Sequence, residues 1–307
     1  DIYTFNNQMI LARGSELTNR AITRLKFYSI NDIRIELRDD EVIEDIIAEE
    51  TAKPEVSEEN RYGDFSQQMR LTPEYKQFHA KYETSISEFE GKLKGFISKD
   101  GTDVAPTELL KDAEDILTTR RNGIHLFHML HCMRDYQDET YAHSISVSLI
   151  CNAMGHWLGW SREDIANLTI AGLLHDIGKL FLPQDLLKKT EPLSDAEFAL
   201  IKTHPRKGYK TNKNKDLDPR IKYAVLSHHE RCDGSGYPAN LRDNEINSFA
   251  KIVAIADTYD AMTSPRIYRG PLCPFKVVHL FQSEGLSQYD PHYLLTLDRK
   301  STRLNSS

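Results

Sequence analysis

Apolar positions set the elements along this chain. Phe78, Tyr82, Ile86, Phe89 and Leu93 recur every three or four residues, which is the spacing of one helix face. Thr72-Pro73-Glu74 stands just before this stripe, with proline suited to the first helical position, so a long polar helix is predicted to open there. Asp100-Gly101 breaks it, and from Pro106 onward the pattern is helical almost throughout. Later helix starts are marked by side chains that can satisfy the free N–H groups of a first turn. Ser161 with Asp164 and Ser194 with Glu197 have capping-box spacing. Asp218-Pro219 reads as an N-cap followed by proline, and Ser248 is expected to cap the apolar run Phe249–Ala256.

The first sixty residues read differently. Thr18 is a predicted N-cap for a short helix to Tyr28, and Ile33-Arg-Ile-Glu-Leu37 alternates like a strand. The acidic stretch Arg38–Asn60, with Pro54, reads as a solvated linker. The expected architecture is mainly α. A small mixed α/β accessory module spans 1–62, a helical linker 63–103 and an all-helical domain 104–297. An atypical tail, 298–307, is expected not to continue an amphipathic helix. The stripe from Phe78 to Leu93 offers a coiled-coil or dimerisation face, or simply the inner face of a helix lying on its own domain, and it is expected to form an interdomain or dimer contact that places the N-terminal module. A homodimer or a signalling partner is expected.

Composition narrows the function classes. The 307 residues carry 39 Lys and Arg against 46 Asp and Glu, a net charge of −7, which does not suit a binder of nucleic-acid polymers. No run approaches the roughly 18 apolar residues of a membrane span. Mean hydropathy is −0.53. Cys132, Cys151, Cys232 and Cys273 lie far apart without a CxxC pair. That pattern is neither a zinc ribbon nor a disulfide framework, and it fits a reducing cytoplasm. No signal peptide is apparent, and the sequence opens on Asp1 rather than Met.

The candidate chemistry lies in histidines and their neighbours. His143, the pair His175-Asp176, His204, the pair His228-His229 and Asp257 each fall at or near a helix end. Neutral imidazole binds transition metals, and a carboxylate has two oxygens with which to bridge two ions. Adjacent residues such as His175 and Asp176 point about 100° apart on a helix, which suits two ions better than one. Two ions about 3.5–4 Å apart can hold a bridging hydroxide and clamp a phosphoryl group. A lone histidine carries no such implication, and His79, His125, His128, His131, His156, His279 and His292 are expected to be ordinary core or surface residues.

Two longer motifs change the picture. His175-Asp-Ile-Gly-Lys179 and His228-His-Glu-Arg-Cys-Asp-Gly-Ser-Gly-Tyr-Pro238 resemble the HD-GYP domain, a branch of the HD phosphohydrolase superfamily. The resemblance runs from about Val104 to Leu297. It implies an all-helical domain that hydrolyses the bacterial second messenger cyclic di-GMP to pGpG, and on further cutting to GMP, through a metal-bridging hydroxide. The ligands it implies are His143, His175, Asp176, His204, His228, His229 and Asp257, with iron or manganese as the divalent metal. Glu139, one turn before His143, matches the carboxylate that accompanies a third ion in some members. Asp176 would bridge the ions and Lys179 would contact substrate phosphate. Arg266 and Arg269, in the segment after Asp257, would be further phosphate contacts. Asp260, Asp233 and Glu230 can orient ligands or serve as caps and salt-bridge partners. Alternatives are a phosphohydrolase acting on another cyclic dinucleotide or nucleotide, and a non-catalytic cyclic-dinucleotide sensor. The sensor should have lost ligands, yet every expected ligand is present.

Overall fold

A computed structural model describes residues 2–3, 9–11, 67–97, 104–119, 122–133, 139–264, 272, 274–283 and 286–301. The chain divides into two compact units, Asp1–Val56 and Ser57–Ser307. In the first, Ile2–Tyr3 (β1) pairs antiparallel with Met9–Leu11 (β2). The helix predicted from Thr18 to Tyr28 and the strand at 33–37 lie outside the described residues.

The second unit is built from helices. In chain order they are α1 (Pro73–Ile97), α2 (Pro106–Leu117), α3 (Gly123–Cys132), α4 (Glu139–Trp157) and α5 (Arg162–Leu174). A short 3₁₀ turn, Ile177–Phe181, follows, then α6 (Gln184–Leu187), α7 (Asp195–Ile201), α8 (His204–Asn212) and α9 (Pro219–Ser227). The long α10 (Ser248–Thr263) precedes α11 (Pro274–Ser283) and α12 (Pro291–Ser301).

The centre of this unit is α4. Every residue from Ser144 to Gly155 is buried, because α5, α10, α1 and α12 all pack along it. A helix covered on all sides needs its polar side chains paired. Ser148 donates to the Ile145 carbonyl at 2.7 Å, Ser146 shares a 2.6 Å hydrogen bond with the Tyr82 hydroxyl, and Asn152 donates to Thr169 at 3.1 Å.

The stripe on α1 lies on its own domain. Phe78 and Phe89 are fully buried, with Tyr82, Ile86 and Leu93 nearly so, against α2 and α4. Burying each large ring contributes about 1.5–3 kcal/mol relative to leaving it in water. Lys81 ties the outer edge of α1 to Asp115 of α2 at 2.8 Å.

Helix starts follow the predicted caps with one correction. Ser161, Ser194 and Asp218 cap α5, α7 and α9, and Ser194 with Glu197 completes a capping box. At α10 the cap is Asn247, whose side-chain oxygen accepts from the Ala250 N–H at 2.8 Å, while Ser248 is the first helical residue. Asparagine competes well for that role because its carbonyl reaches the N3 amide from extended backbone. The closing helix also departs from expectation. It continues to Ser301 rather than ending before Asp298, with Leu294 and Leu297 on its buried face.

Candidate metal centre

The candidate ligands come from five places: the first turns of α4, the end of α5, the α7–α8 junction, the end of α9, and the middle of α10. Three histidines use one local device. His175, His204 and His228 each sit just beyond the last residues of a helix, where backbone carbonyls lack intrahelical partners. Their Nδ1 atoms lie 2.8, 2.8 and 3.0 Å from the carbonyls of Gly172, Ile201 and Val225, each three residues earlier. A carbonyl only accepts, so each Nδ1 carries the proton and each Nε2 presents a lone pair.

Those lone pairs converge on Asp176. Its Oδ1 lies 3.2 Å from His204 Nε2 and 3.8 Å from His228 Nε2. Its Oδ2 lies 3.3 Å from His175 Nε2 and 3.8 Å from His143 Nε2. Two four- and three-membered groups result, each with donor atoms within 4.8 Å of one another: Asp176, His204, His228 and His229, and His143, His175 and Asp257. Glycine makes the approach of these segments feasible. A Cβ on Gly178 would fall 1.9 Å from the His204 carbonyl oxygen, so the turn after Asp176 could not pack on α8 with any other residue.

Electrostatics favours cations at this point. Burial opposes ionisation of Asp176, yet Lys179, at 2.5 Å, and His175 hold its carboxyl well below the usual carboxylate range. Burial likewise opposes ionisation of Asp257, and the hydrogen bond and charge of His143 together with the neighbouring imidazoles of His229 and His175 outweigh it. Burial and neighbouring imidazoles keep His228 neutral, and burial lowers His229 to about 3. The centre therefore holds two buried carboxylates beside His228 and His229, which resist protonation. His175 Nε2 and Asp176 Oδ1 are buried without a partner of hydrogen-bonding geometry. Such a set of orphaned donor atoms fits divalent metal ions.

His143 is oriented by a carboxylate behind it. Its Nδ1 lies 2.7 Å from Asp260 Oδ2, and its Nε2 lies 3.1 Å from Asp257 Oδ1. Burial disfavours charge on this ring, but the two aspartates raise it to about 9, so a positive charge is favoured between His143 and Asp257.

The loop after His229 is held firmly. Glu230, nearly inaccessible, accepts the backbone N–H groups of Ala239 (2.7 Å) and Leu241 (2.9 Å). A Cβ on Gly236 would meet backbone atoms of Glu230, Arg231 and His229 at 2.4–2.5 Å. Tyr237 stacks on His229, with ring centroids 4.7 Å apart and planes at 26°. Of the three acids left open by the sequence, Asp260 orients a candidate ligand and Glu230 pins this loop. Asp233 is an exposed turn cap, bonded to Ser235. The stacking partner Tyr237 was not assigned a role from the sequence, because nothing local shows which ring it meets.

The α4 backbone begins at Glu139, one turn ahead of His143, but the Glu139 side chain lies outside the described residues, as do Arg266 and Arg269. None of the seven histidines expected to be ordinary falls in either donor group.

Residues 126–293 match the HD domain family, more than half of the sequence. The chain belongs to the HD domain family. Among relatives of this HD domain chain, a cyclic di-GMP phosphodiesterase of Pseudomonas aeruginosa is 36% identical over 138 residues, 45% of this chain and 33% of the relative. A cyclic di-GMP phosphodiesterase of Thermotoga maritima is 34% identical over 167 residues, 53% of this chain and 45% of the relative. A 3'3'-cGAMP-specific phosphodiesterase of Vibrio cholerae is 35% identical over 150 residues, 47% and 34% of the two chains. The HD domain chain thus spans between a third and a little under half of the length of these relatives. In solved structures, Bd1817, an HDG"Y"P protein from Bdellovibrio bacteriovorus, superposes with a TM-score of 0.53 at 16% identity, covering 97% of this chain and 92% of that one. That likeness concerns the fold. No described helix is long and apolar enough to cross a membrane.

Proposed function

We propose that this chain is a metal-dependent phosphodiesterase that hydrolyses cyclic di-GMP to pGpG and onward to GMP. The observation that carries the reading is the division of the Asp176 oxygens, one toward His204 and His228, the other toward His175 and His143. Asp176, His204, His228 and His229 would hold one ion; His143, His175 and Asp257 would hold a second, with Asp176 between them. Iron or manganese suits this mixed imidazole and carboxylate set. Divalent ions there would supply Lewis acidity at a phosphoryl oxygen and an activated water. Lys179, fixed by Asp176, would place an ammonium beside the scissile phosphate, and Arg266 and Arg269 would add positive charge. Glu139 would attend a third ion.

Residues 1–62 are read as an accessory module ahead of a helical segment, 63–103, and the catalytic domain, 104–297, with 298–307 as a tail. The division after Val56 supports a separate N-terminal unit. That module would connect the enzyme to a signalling partner or a second copy, in the cytoplasm.

A second reading has specific support: relatives of similar identity carry the name 3'3'-cGAMP-specific phosphodiesterase, so cyclic GMP-AMP is the competing substrate. The test is turnover of both dinucleotides by purified protein loaded anaerobically with Fe(II) or Mn(II), with products separated by chromatography. Cyclic di-GMP should be cut with the higher kcat/KM, and Asp176→Ala should abolish turnover. Lys179→Ala should raise KM and lower kcat while metal content stays constant. Binding of cyclic di-GMP without turnover by any metal-loaded form would identify a sensor instead.

A further inference from the structure

Lys202 stands between two aromatic rings that come from different segments. Its Nζ lies 4.4 Å from the Phe198 ring centroid and 5.2 Å from that of Tyr237. Tyr237 stacks on His229, and His229 belongs to the larger donor group. The row Phe198, Lys202, Tyr237, His229 therefore leads from solvent to the candidate metal centre.

Three observations separate this row from an ordinary helix surface. First, α7 buries none of its residues, so core packing does not account for an aromatic at 198, whose side chain is 46% exposed. Second, Lys202 has no carboxylate partner among the described residues. The adjacent Glu197 is committed to Lys189 at 2.7 Å and to Ser194 at 2.8 Å. Lys179, by contrast, is already paired with Asp176. Third, the Tyr237 wall is preorganised. Its N–H donates to the His229 carbonyl at 3.2 Å, and Arg206 donates to the neighbouring Pro238 carbonyl at 3.1 Å.

A cation without a counter-ion, flanked by rings and close to a phosphate-cutting centre, is matched by an anion that carries an aromatic base. Building on the phosphodiesterase reading above, we propose that Lys202 and Phe198 form a clamp for the half of a cyclic dinucleotide that is not being cut. Lys202 takes the distal phosphate against the Tyr237 wall, and Phe198 stacks a nucleobase. Ring closure in the substrate keeps its second phosphate and both bases near the scissile bond. The clamp therefore selects dinucleotides over smaller diesters without touching the reacting atoms.

The test compares metal-loaded wild type, Lys202→Ala and Phe198→Ala on cyclic di-GMP and on bis(p-nitrophenyl) phosphate, which lacks a second phosphate and a base. Affinity for the slowly cut bisphosphorothioate analogue of cyclic di-GMP is measured by calorimetry on the same three proteins. Each substitution should raise KM for cyclic di-GMP and Kd for the analogue about tenfold, within the range of one base stack. Rates on the small diester and metal content should stay at wild-type values. Unchanged KM and Kd in both variants, with a wild type that binds and cuts the dinucleotide, overturn the clamp alone. Equal losses on both substrates also overturn it, because the residues would then act through the metal centre. A wild type that cuts the small diester but neither binds nor cuts a cyclic dinucleotide overturns the cyclic-dinucleotide reading and the clamp together.

Discussion

Asp260 Oδ2 accepts the Nδ1 proton of His143 at 2.7 Å, across 117 residues of sequence. This bond leaves Nε2 of His143 facing Asp257 and fixes the ring plane. Carboxylates in this position orient a metal-binding imidazole and raise its basicity.

Asp260→Asn therefore tests orientation apart from ligation. The amide keeps the volume but loses the charge that steadies the ring. Metal affinity should fall by about 10–100-fold while the fold persists. Metal content at controlled free metal, read beside circular dichroism, checks this. Wild-type metal affinity in the variant would leave Asp260 without an orienting role.

A buried carboxylate pins the loop that carries Tyr237. Glu230→Ala removes the acceptor of two backbone N–H groups, from Ala239 and Leu241. Hydrogen bonds to a charged group contribute about 1.5–3 kcal/mol each, so the midpoint of chemical unfolding should drop clearly. His229 should also lose its stacking partner, lowering activity more than the loss of stability alone predicts. Denaturant curves and rates at saturating metal separate the two effects.

The proposed third ion is tested at Glu139. Glu139 and His143 are four residues apart on α4, a spacing that puts both on one helix face. On the proposed assignment, Glu139→Ala should reduce bound metal from about three ions toward two and weaken turnover without abolishing it, since Asp176 would still serve two ions. Metal analysis of anaerobically prepared protein decides. Equal stoichiometry in both proteins means a two-metal site with Glu139 outside it.

Acid sensitivity should arise in part outside the two donor groups. Burial lowers His128, on α3, to about 4, with His125 adding to the effect. The unfolded chain titrates near 6.5 and so binds more protons than the folded one between these values. Stability from this group is complete above about pH 6.5 and is lost as pH falls toward about 4. His128→Gln should flatten the acid limb of a stability–pH profile measured by urea unfolding. An unchanged slope would show that His128 titrates alike in both states.

The sequence alone determined the parts of this protein that depend on near neighbours. The caps at Ser161, Ser194 and Asp218 and the opening of α1 at Pro73 are local bonds or φ constraints, legible within four residues. The His175–Lys179 and His228–Pro238 runs were legible for the same reason: their order along the chain is itself the signal. Tertiary packing decided the remainder. Phe78 to Leu93 has the same periodicity whether it meets another copy or its own domain, and only the cover supplied by α2 and α4 chooses. Asn247 displaced Ser248 as a cap because two adjacent residues could both supply the oxygen and backbone geometry selected one. The division of Asp176 between two sets of histidines, and the pairing of His143 with Asp260, join residues from separate helices. Spacing along a chain fixes which side chains share a face; where their lone pairs meet depends on how those faces pack.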